Sequence, residues 1–241
     1  MSSNPRWLIA LATYNERENL PPLTAQIFET TPDADILFVD DSSPDGTADW
    51  VEEQMQHDAR FKLIKRSGKL GLGTAILTAI EYAVQNNYTF LINMDADLSH
   101  PPRFLPAIRA KAEEGFDVVI GSRYVSGGSI KGWAWYRRLM SRTINLYARW
   151  VLGLTTQDNS GSFRCYRVAL LERVDPQSIL SRGYSFFEEV LFRLRKLNGT
   201  FAEVPITFEE RYAGQSKLNV KEIAAALWLL LRIRRDNSPK R

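Results

Sequence analysis

The sequence predicts an α/β protein with a mostly parallel sheet flanked by helices. Three observations carry that expectation. Short apolar runs alternate with amphipathic stretches through the first half of the chain. The runs stop on acidic or Gly/Pro-containing turns. Of the 241 residues, 44% are hydrophobic, enough for one domain with a substantial core.

Taken in order, strands are expected at Trp7–Ala12, Asp35–Val39, Phe61–Lys65, Tyr88–Met94 and Asp117–Ile120. Helices fit between them near Leu20–Glu29, Thr47–Gln56, Leu72–Gln85 and Arg103–Glu114. The second half is less regular. Trp135–Leu152 and Phe187–Leu197 read as amphipathic helices, Phe201–Phe208 as a strand and Val220–Ile233 as a final helix with an apolar centre. Ser126–Gly132 and Asp158–Ser162 read as mobile loops, and the last six residues as disordered. The whole, 1–241, is expected to be one domain, with a core over about 6–217 and a C-terminal helix and basic tail over 218–241.

Composition narrows the function classes. The single cysteine, Cys165, excludes an internal disulfide, fits a reducing compartment and has no His or second Cys beside it. Trp7–Ala12 is too short for a secretory signal, and no run of ~18 or more apolar residues is present to span a bilayer. With only His57 and His100, neither a Ser-His-Asp arrangement nor a zinc cluster can be assembled. Net charge is only +3, yet Lys131, Arg137, Arg138, Arg142 and Arg149 fall in a stretch without acids that also holds Trp133, Trp135, Tyr136, Tyr147 and Trp150. Basic residues interleaved with aromatics suit an anionic membrane surface; nucleic acid is the weaker expectation for so short a stretch.

The chemistry concentrates where strands end. Asp95-Ala96-Asp97 follows an apolar run, and residues two apart along a strand point the same way. Both carboxylates can then face a ligand at the carboxyl edge of the sheet, with a cation such as Mg²⁺ or Mn²⁺ between them and a diphosphate. Thr13-Tyr-Asn-Glu16 and Val39-Asp-Asp41 followed by Ser-Ser-Pro-Asp-Gly lie at the same edge. Tyr14 suits stacking on a base, and the acids suit base N–H groups or ribose hydroxyls. Gly71-Leu72-Gly73 is no dinucleotide loop, because Ile76 stands where a third glycine belongs, so a tight helix start is expected. Arg123, after the fifth strand, has a fork of donors for a phosphate; Arg137 and Ser141, four apart on the next helix, offer a second phosphate face. Arg211 and Lys217 sit on a Gly-containing stretch suited to closing over a diphosphate.

These motifs, in this order and with Gly68-Lys-Leu-Gly-Leu-Gly73, Ser160-Gly-Ser-Phe-Arg164 and Val204-Pro-Ile-Thr-Phe208 among them, resemble those of family 2 glycosyltransferases of GT-A fold. They closely resemble those of the polyprenyl-phosphate (dolichyl-phosphate) mannose synthases, over about residues 6–224. The resemblance implies inverting transfer of mannose from GDP-mannose to a polyprenyl or dolichyl phosphate. It implies guanosine contacts at Ala12, Tyr14, Glu16, Val39 and Asp41. Sugar-nucleotide and metal positions fall at Asp95, Ala96, Asp97 and Ser99, with Mg²⁺ or Mn²⁺ as cofactor. Arg123, Arg211 and Lys217 match the catalytic cations on the two phosphates, and Arg137 and Ser141 match acceptor-phosphate positions. Ala12 replaces the usual proline, and Ser99 stands where some members have Gln. The resemblance also implies peripheral attachment to the cytoplasmic face of a membrane, with a small membrane subunit as a partner in some members. The alternatives are transfer of glucose or another sugar to the same lipid, transfer to a hydroxyl with Asp158 or Glu189 as base, or a non-catalytic nucleotide-sugar-binding scaffold.

Overall fold

The computed structural model describes residues 4–181, 183, 185–210 and 220–236. Its elements run β1 (Trp7–Thr13), α1 (Leu20–Thr30), β2 (Asp35–Asp40), α2 (Thr47–Met55), β3 (Phe61–Lys65), α3 (Leu72–Gln85), β4 (Phe90–Asp95), α4 (Leu105–Glu113) and β5 (Val118–Ser122). There follow β6 (Ser129–Ile130), α5 (Trp135–Leu152), β7 (Arg164–Arg167), α6 (Val168–Leu171), α7 (Phe186–Lys196), β8 (Phe201–Pro205), β9 (Thr207–Phe208) and α8 (Val220–Asp236). The expected βαβ alternation is present through β5, with short 3₁₀ turns before α4 and after α6.

Among the described residues seven strands form the main sheet, in the order β3-β2-β1-β4-β7-β5-β8. The alternation within β1 and β2 explains its two-sided burial. Leu8, Ala10, Leu37 and Val39 enter one core with α3, α5, α7 and α8; Trp7, Ile9, Leu11, Ile36 and Phe38 enter the other with α1 and α4. All pairings are parallel except those of β7, which runs antiparallel between β4 and β5. Sequence reading missed β7 because Arg-Cys-Tyr-Arg has no apolar run. Arg164 is nevertheless fully buried, its guanidinium donating to the carbonyls of Phe187 and Asn159. Cys165 lies in the core, and burial pushes its thiol pKa up, as befits a structural residue.

The expected strand Phe201–Phe208 is two. It breaks at Ile206, whose N–H donates to Ser122 and whose carbonyl accepts from Ser129; β9 then pairs with β6 in a separate ribbon. The expected mobile loop 126–132 therefore contains a strand. Gly128 has to be glycine here, because a Cβ would lie 2.6 Å from the Ser122 carbonyl oxygen and 2.8 Å from the Arg123 carbonyl carbon. The expected mobile loop 158–162 is also corrected: Asp158, Asn159 and Ser162 are buried and hydrogen-bonded. The C-terminal residues expected to be disordered lie, from 237 on, outside the described residues.

Candidate active site

The parallel register assembles the site. Ala12 is opposite both Val39 on β2 and Asp95 on β4, so three of the expected residues lie side by side across the carboxyl edge. Val39 itself is buried in the core, which leaves its backbone rather than its side chain to meet a ligand. At this edge the Tyr14 and Asp41 motifs form a single wall. The N–H groups of Asn15, Glu16 and Arg17 donate to Ser43 Oγ, Thr47 Oγ1 and Asp45 Oδ2 at 3.0, 3.0 and 3.1 Å. Tyr14 is exposed, and the Lys69 ammonium stands 4.2 Å from its ring centroid. Glu16 accepts from Asn19 Nδ2 at 2.6 Å.

Asp41 is not the open acid that the sequence suggested. Its Oδ1 accepts from Arg66 Nε at 2.5 Å in a buried ion pair, and Arg66 also donates to Thr74 Oγ1 and the Gly71 carbonyl. Arg66 thus locks the base end of the wall to the start of α3. Gly71 makes the tight helix start expected of it, at φ 94°. Arg66 was overlooked, though a basic residue directly after β3, beside two strands ending in acids, was the available signal.

The turn after β4 holds the carboxylate pair. Asp95 Oδ1 accepts from Ser162 Oγ at 2.7 Å, and its N–H donates to His100 Nδ1 at 3.1 Å. Burial lowers the His100 pKa against the raising pull of Asp95 and Asp97, so His100 is neutral with its proton on Nε2. Asp97 is buried, and its Oδ1 accepts from Ser99 N–H at 3.0 Å. Leu98 between them adopts φ 62°, unusual for a bulky residue. Ser99 Oγ is buried without a hydrogen-bond partner among the described residues, and Ala96 is buried beside it. No group of three or more His, Cys, Asp or Glu able to hold a metal occurs among the described residues. Two carboxylates and a hydroxyl fit a cation whose remaining ligands are substrate phosphates, rather than a closed protein cage.

Across an aromatic wall lies Arg123. His100 packs against Phe163 and Phe208 at centroid distances of 5.2 and 5.4 Å, and Phe208 against Trp133 at 5.4 Å. The Arg123 guanidinium stands 5.6 Å from the Phe208 ring and 5.7 Å from Trp133. Its fork is not open to a phosphate as expected. Nε and Nη2 donate to the two Asp158 oxygens at 2.7 Å each, and Nη2 also donates to Ser160 Oγ; Nη1 makes no hydrogen bond among the described residues. Burial would discharge both partners, but their mutual attraction outweighs it: the Arg123 pKa is raised and that of Asp158 lowered.

This pairing removes Asp158 from consideration as a base, since its oxygens also accept from the Arg123 and Gly161 N–H groups. Glu189 is equally committed, to the N–H groups of Leu180 and Ser181 and to Arg193. Ser141 and Arg137, expected on the acceptor side, are each held by a neighbour. Ser141 Oγ accepts from the Tyr124 hydroxyl at 2.7 Å, while Arg137 packs 4.1 Å from the Trp133 ring and pairs with Glu210 at 3.0 Å. Asn145 of α5, which sequence reading passed over, accepts from the N–H groups of Asn159 and Ser160 and donates to Ser160 Oγ. A polar residue at a core-facing spacing with Ala148 and Leu152 was its signal. Arg211 and Lys217 lie outside the described residues.

A carboxylate pair at the sheet edge, the Tyr14–Asp41 wall on one side and a buried arginine on the other are the arrangement the sequence led one to expect at a nucleotide-sugar site. The chain belongs to the family that this geometry suggests: the Glycosyl transferase family 2 model matches residues 8–175. It is 39% identical over 224 residues to the polyprenol monophosphomannose synthase of Mycolicibacterium smegmatis, covering 92% of this chain and 84% of that one. It is also 39% identical over 214 residues to the undecaprenyl-phosphate mannosyltransferase of Micrococcus luteus, with 89% and 88% covered. Among solved structures, glucosyl-3-phosphoglycerate synthase from Mycobacterium tuberculosis, in complex with Mn²⁺, UDP and glucosyl-3-phosphoglycerate, superposes with a TM-score of 0.65 at 16% identity. That match covers 98% of this chain and 82% of that one. A mannosyltransferase from Pyrobaculum calidifontis in complex with GDP-Man and Mn²⁺ gives 0.57 at 14%, covering 98% and 74%. The fold is GT-A-like.

Proposed function

We infer that this chain is a polyprenyl-phosphate mannosyltransferase, transferring mannose from GDP-mannose to a polyprenyl phosphate with inversion at the anomeric carbon. The observation that carries the reading is the carboxylate pair Asp95/Asp97 and the buried Arg123 on either side of one aromatic wall, in a chain 39% identical to two enzymes of that class. Residues 6–217 are read as one catalytic domain and 218–241 as a C-terminal helix and tail.

The nucleoside lies against Tyr14, Glu16 and the Asp41–Arg66 pair, with backbone contacts at Ala12 and Val39. Asp97 and Asp95, with Ser99, would hold a Mg²⁺ or Mn²⁺ ion, which would offset charge on the departing diphosphate. Ala96 lets the sugar approach the strand end. Arg123, through Nη1, and Arg137 and Ser141 draw the acceptor phosphate into line, while Arg211 and Lys217 offset diphosphate charge. An acceptor phosphate oxygen forms the new bond to the anomeric carbon as the bond to GDP breaks.

No protein base is required. A phosphate monoester has a second pKa of about 6 and arrives largely as the dianion. The commitment of Asp158 and Glu189 to internal partners fits this acceptor better than a hydroxyl, which needs a carboxylate to take its proton. No helix among the described residues is long and apolar enough to cross a membrane. The basic, aromatic face of α5 suits peripheral contact with the headgroup layer at the cytoplasmic face.

The test is incubation of the purified chain with radiolabelled GDP-mannose, a short polyprenyl phosphate and Mg²⁺ or Mn²⁺, with and without EDTA. Metal-dependent label in the lipid extract is expected. Label transferred from UDP-glucose in preference would overturn the donor assignment.

A further inference from the structure

The helix that carries Arg137 and Ser141 also carries Arg138, Arg142 and Arg149, and the last two face a single recess. A surface cavity of about 270 Å³ opens beside α5, lined by Tyr124, Arg142, Asn145, Leu146, Arg149 and Gln157. It is smaller than the roughly 300–1,000 Å³ sites of drug-sized ligands. That size is on the scale of a single lipid headgroup.

Its charge is one-sided. Neither Arg142 nor Arg149 forms an ion pair among the described residues, and no acid occurs between Lys131 and Trp150. The other polar groups of the wall are neutral. The Tyr124 hydroxyl is tied to Ser141, Asn145 holds the Asn159–Ser160 backbone, and Arg142 stands 5.9 Å from the Tyr124 ring centroid. Two acids lie behind Gln157: Asp158, paired with Arg123, and Glu203, whose two oxygens accept from the N–H groups of Gln157 and Asp158 at 2.8 and 3.0 Å. Two guanidiniums line the recess and none of its lining residues is an acid, a combination that favours a phosphate.

The rim says which kind of phosphate. Leu146 is 63% exposed, and Leu139 and Trp150 are exposed on the same side of the helix. A soluble anion gains nothing from such a rim, whereas acyl chains leaving a headgroup would lie across it.

We propose that this cavity binds the headgroup of an anionic bilayer phospholipid, its phosphodiester between Arg142 and Arg149 and its acyl chains across Leu146. The site is separate from the acceptor-phosphate residues, with Tyr124 and Asn145 as the shared wall. The proposal rests on the reading that α5 faces a membrane, and goes beyond it by assigning a discrete, saturable site.

The experiment is calorimetric titration with dihexanoyl phosphatidylglycerol below its critical micelle concentration. Saturable binding of one lipid per chain is expected, weakened about tenfold or more by Arg142→Gln or Arg149→Gln, the loss of a charge-assisted contact. Arg138→Gln, exposed on the same helix outside the cavity, should change it less than about threefold, a generic surface-charge effect. Non-saturating binding, or an equal loss in Arg138→Gln, would mean surface charge alone and overturn the site. Equal affinity for dihexanoyl phosphatidylcholine or inorganic phosphate would overturn the lipid assignment, as would displacement by a short prenyl phosphate. None of these readings uses mannosyl transfer, so the site can fail while the enzyme assignment stands, and the reverse.

Discussion

Arg123 and Asp158 show why single side chains decide this site. Their bidentate pair is buried on both sides, so removing one charge strands the other at a cost of about 3–5 kcal/mol. Asp158→Asn is therefore expected to lower the melting temperature and raise the KM for polyprenyl phosphate while leaving the pH dependence of turnover unchanged in shape. A positioning residue gives that pattern, and loss of one limb of the pH profile would instead mark Asp158 as a base. A second residue, Glu188, is fully buried behind the same cluster, with Arg164, Asp158 and Arg123 the charges that act on it. Its Oε2 has no hydrogen-bond partner among the described residues, and burial pushes its pKa up to about 7. Because the folded value exceeds the unfolded one, the carboxyl favours folding most at low pH. That contribution is lost as pH rises through 7, by up to roughly 3 kcal/mol. Glu188→Gln should gain stability relative to wild type between pH 5 and pH 8, read from paired thermal melts; a constant difference across that range would contradict it. Sequence alone placed Asp95, Asp97 and Arg123 at strand ends, where the structure has them, because polar residues that interrupt apolar runs stand out. It could not reveal that Arg123 is turned onto Asp158 or Asp41 onto Arg66, since those pairs join residues 35 and 25 positions apart whose approach depends on the sheet order.

At the scale of elements, α5 and β7 explain what periodicity could and could not reveal. The parallel strands were legible because burial on both faces demands unbroken apolar runs. β7 was not, since its antiparallel insertion relies on Arg164 and Arg167 finding partners inside the fold. The Asp158–Ser162 segment leading into β7 looked like an ordinary polar loop for the same reason. It is instead fastened at one end by Glu203 of β8 and at the other by Asn145 of α5. Asn145 is only 3% exposed, though the helix around it is largely open to solvent. Replacing it with Ala leaves the Asn159 and Ser160 N–H groups without their acceptor, at about 1–3 kcal/mol for each buried group. Asn145→Ala should thus raise the KM for the acceptor lipid several-fold and leave GDP-mannose affinity by calorimetry unchanged. Equal losses in donor and acceptor would show general unfolding instead of a released loop.

For the whole molecule, the proposed function brings the two kinds of substrate from opposite directions. The base wall and carboxylate pair occupy the carboxyl edge over β2, β1 and β4, while α5 and α8 pack together on the flank beyond Arg123. That flank exposes Trp135 at 75%, Trp150 at 74% and Trp228 at 64%, whereas Trp7 is buried in the core. Arginines alternate with these rings along α5, a combination that seats a helix in the headgroup layer. On the proposed function, the lipid phosphate would reach Arg137 and Ser141 from the membrane, and the soluble donor would enter from the aqueous side. Half-burial of one indole removes roughly 100 Å² from water, worth about 2.5 kcal/mol at ~25 cal/mol per Å². Trp135→Ser and Trp150→Ser should each weaken partitioning to phosphatidylglycerol-containing vesicles by about tenfold or more, because even partial insertion yields more than the 1.4 kcal/mol of a tenfold change. Brominated acyl chains should quench single-tryptophan variants that retain Trp135, Trp150 or Trp228 and leave one retaining Trp7 unquenched. Equal quenching at Trp7 would mean that the protein unfolds on the vesicle. Absence of quenching at the other three would mean that the lipid phosphate is drawn out of the bilayer to a protein that never touches it.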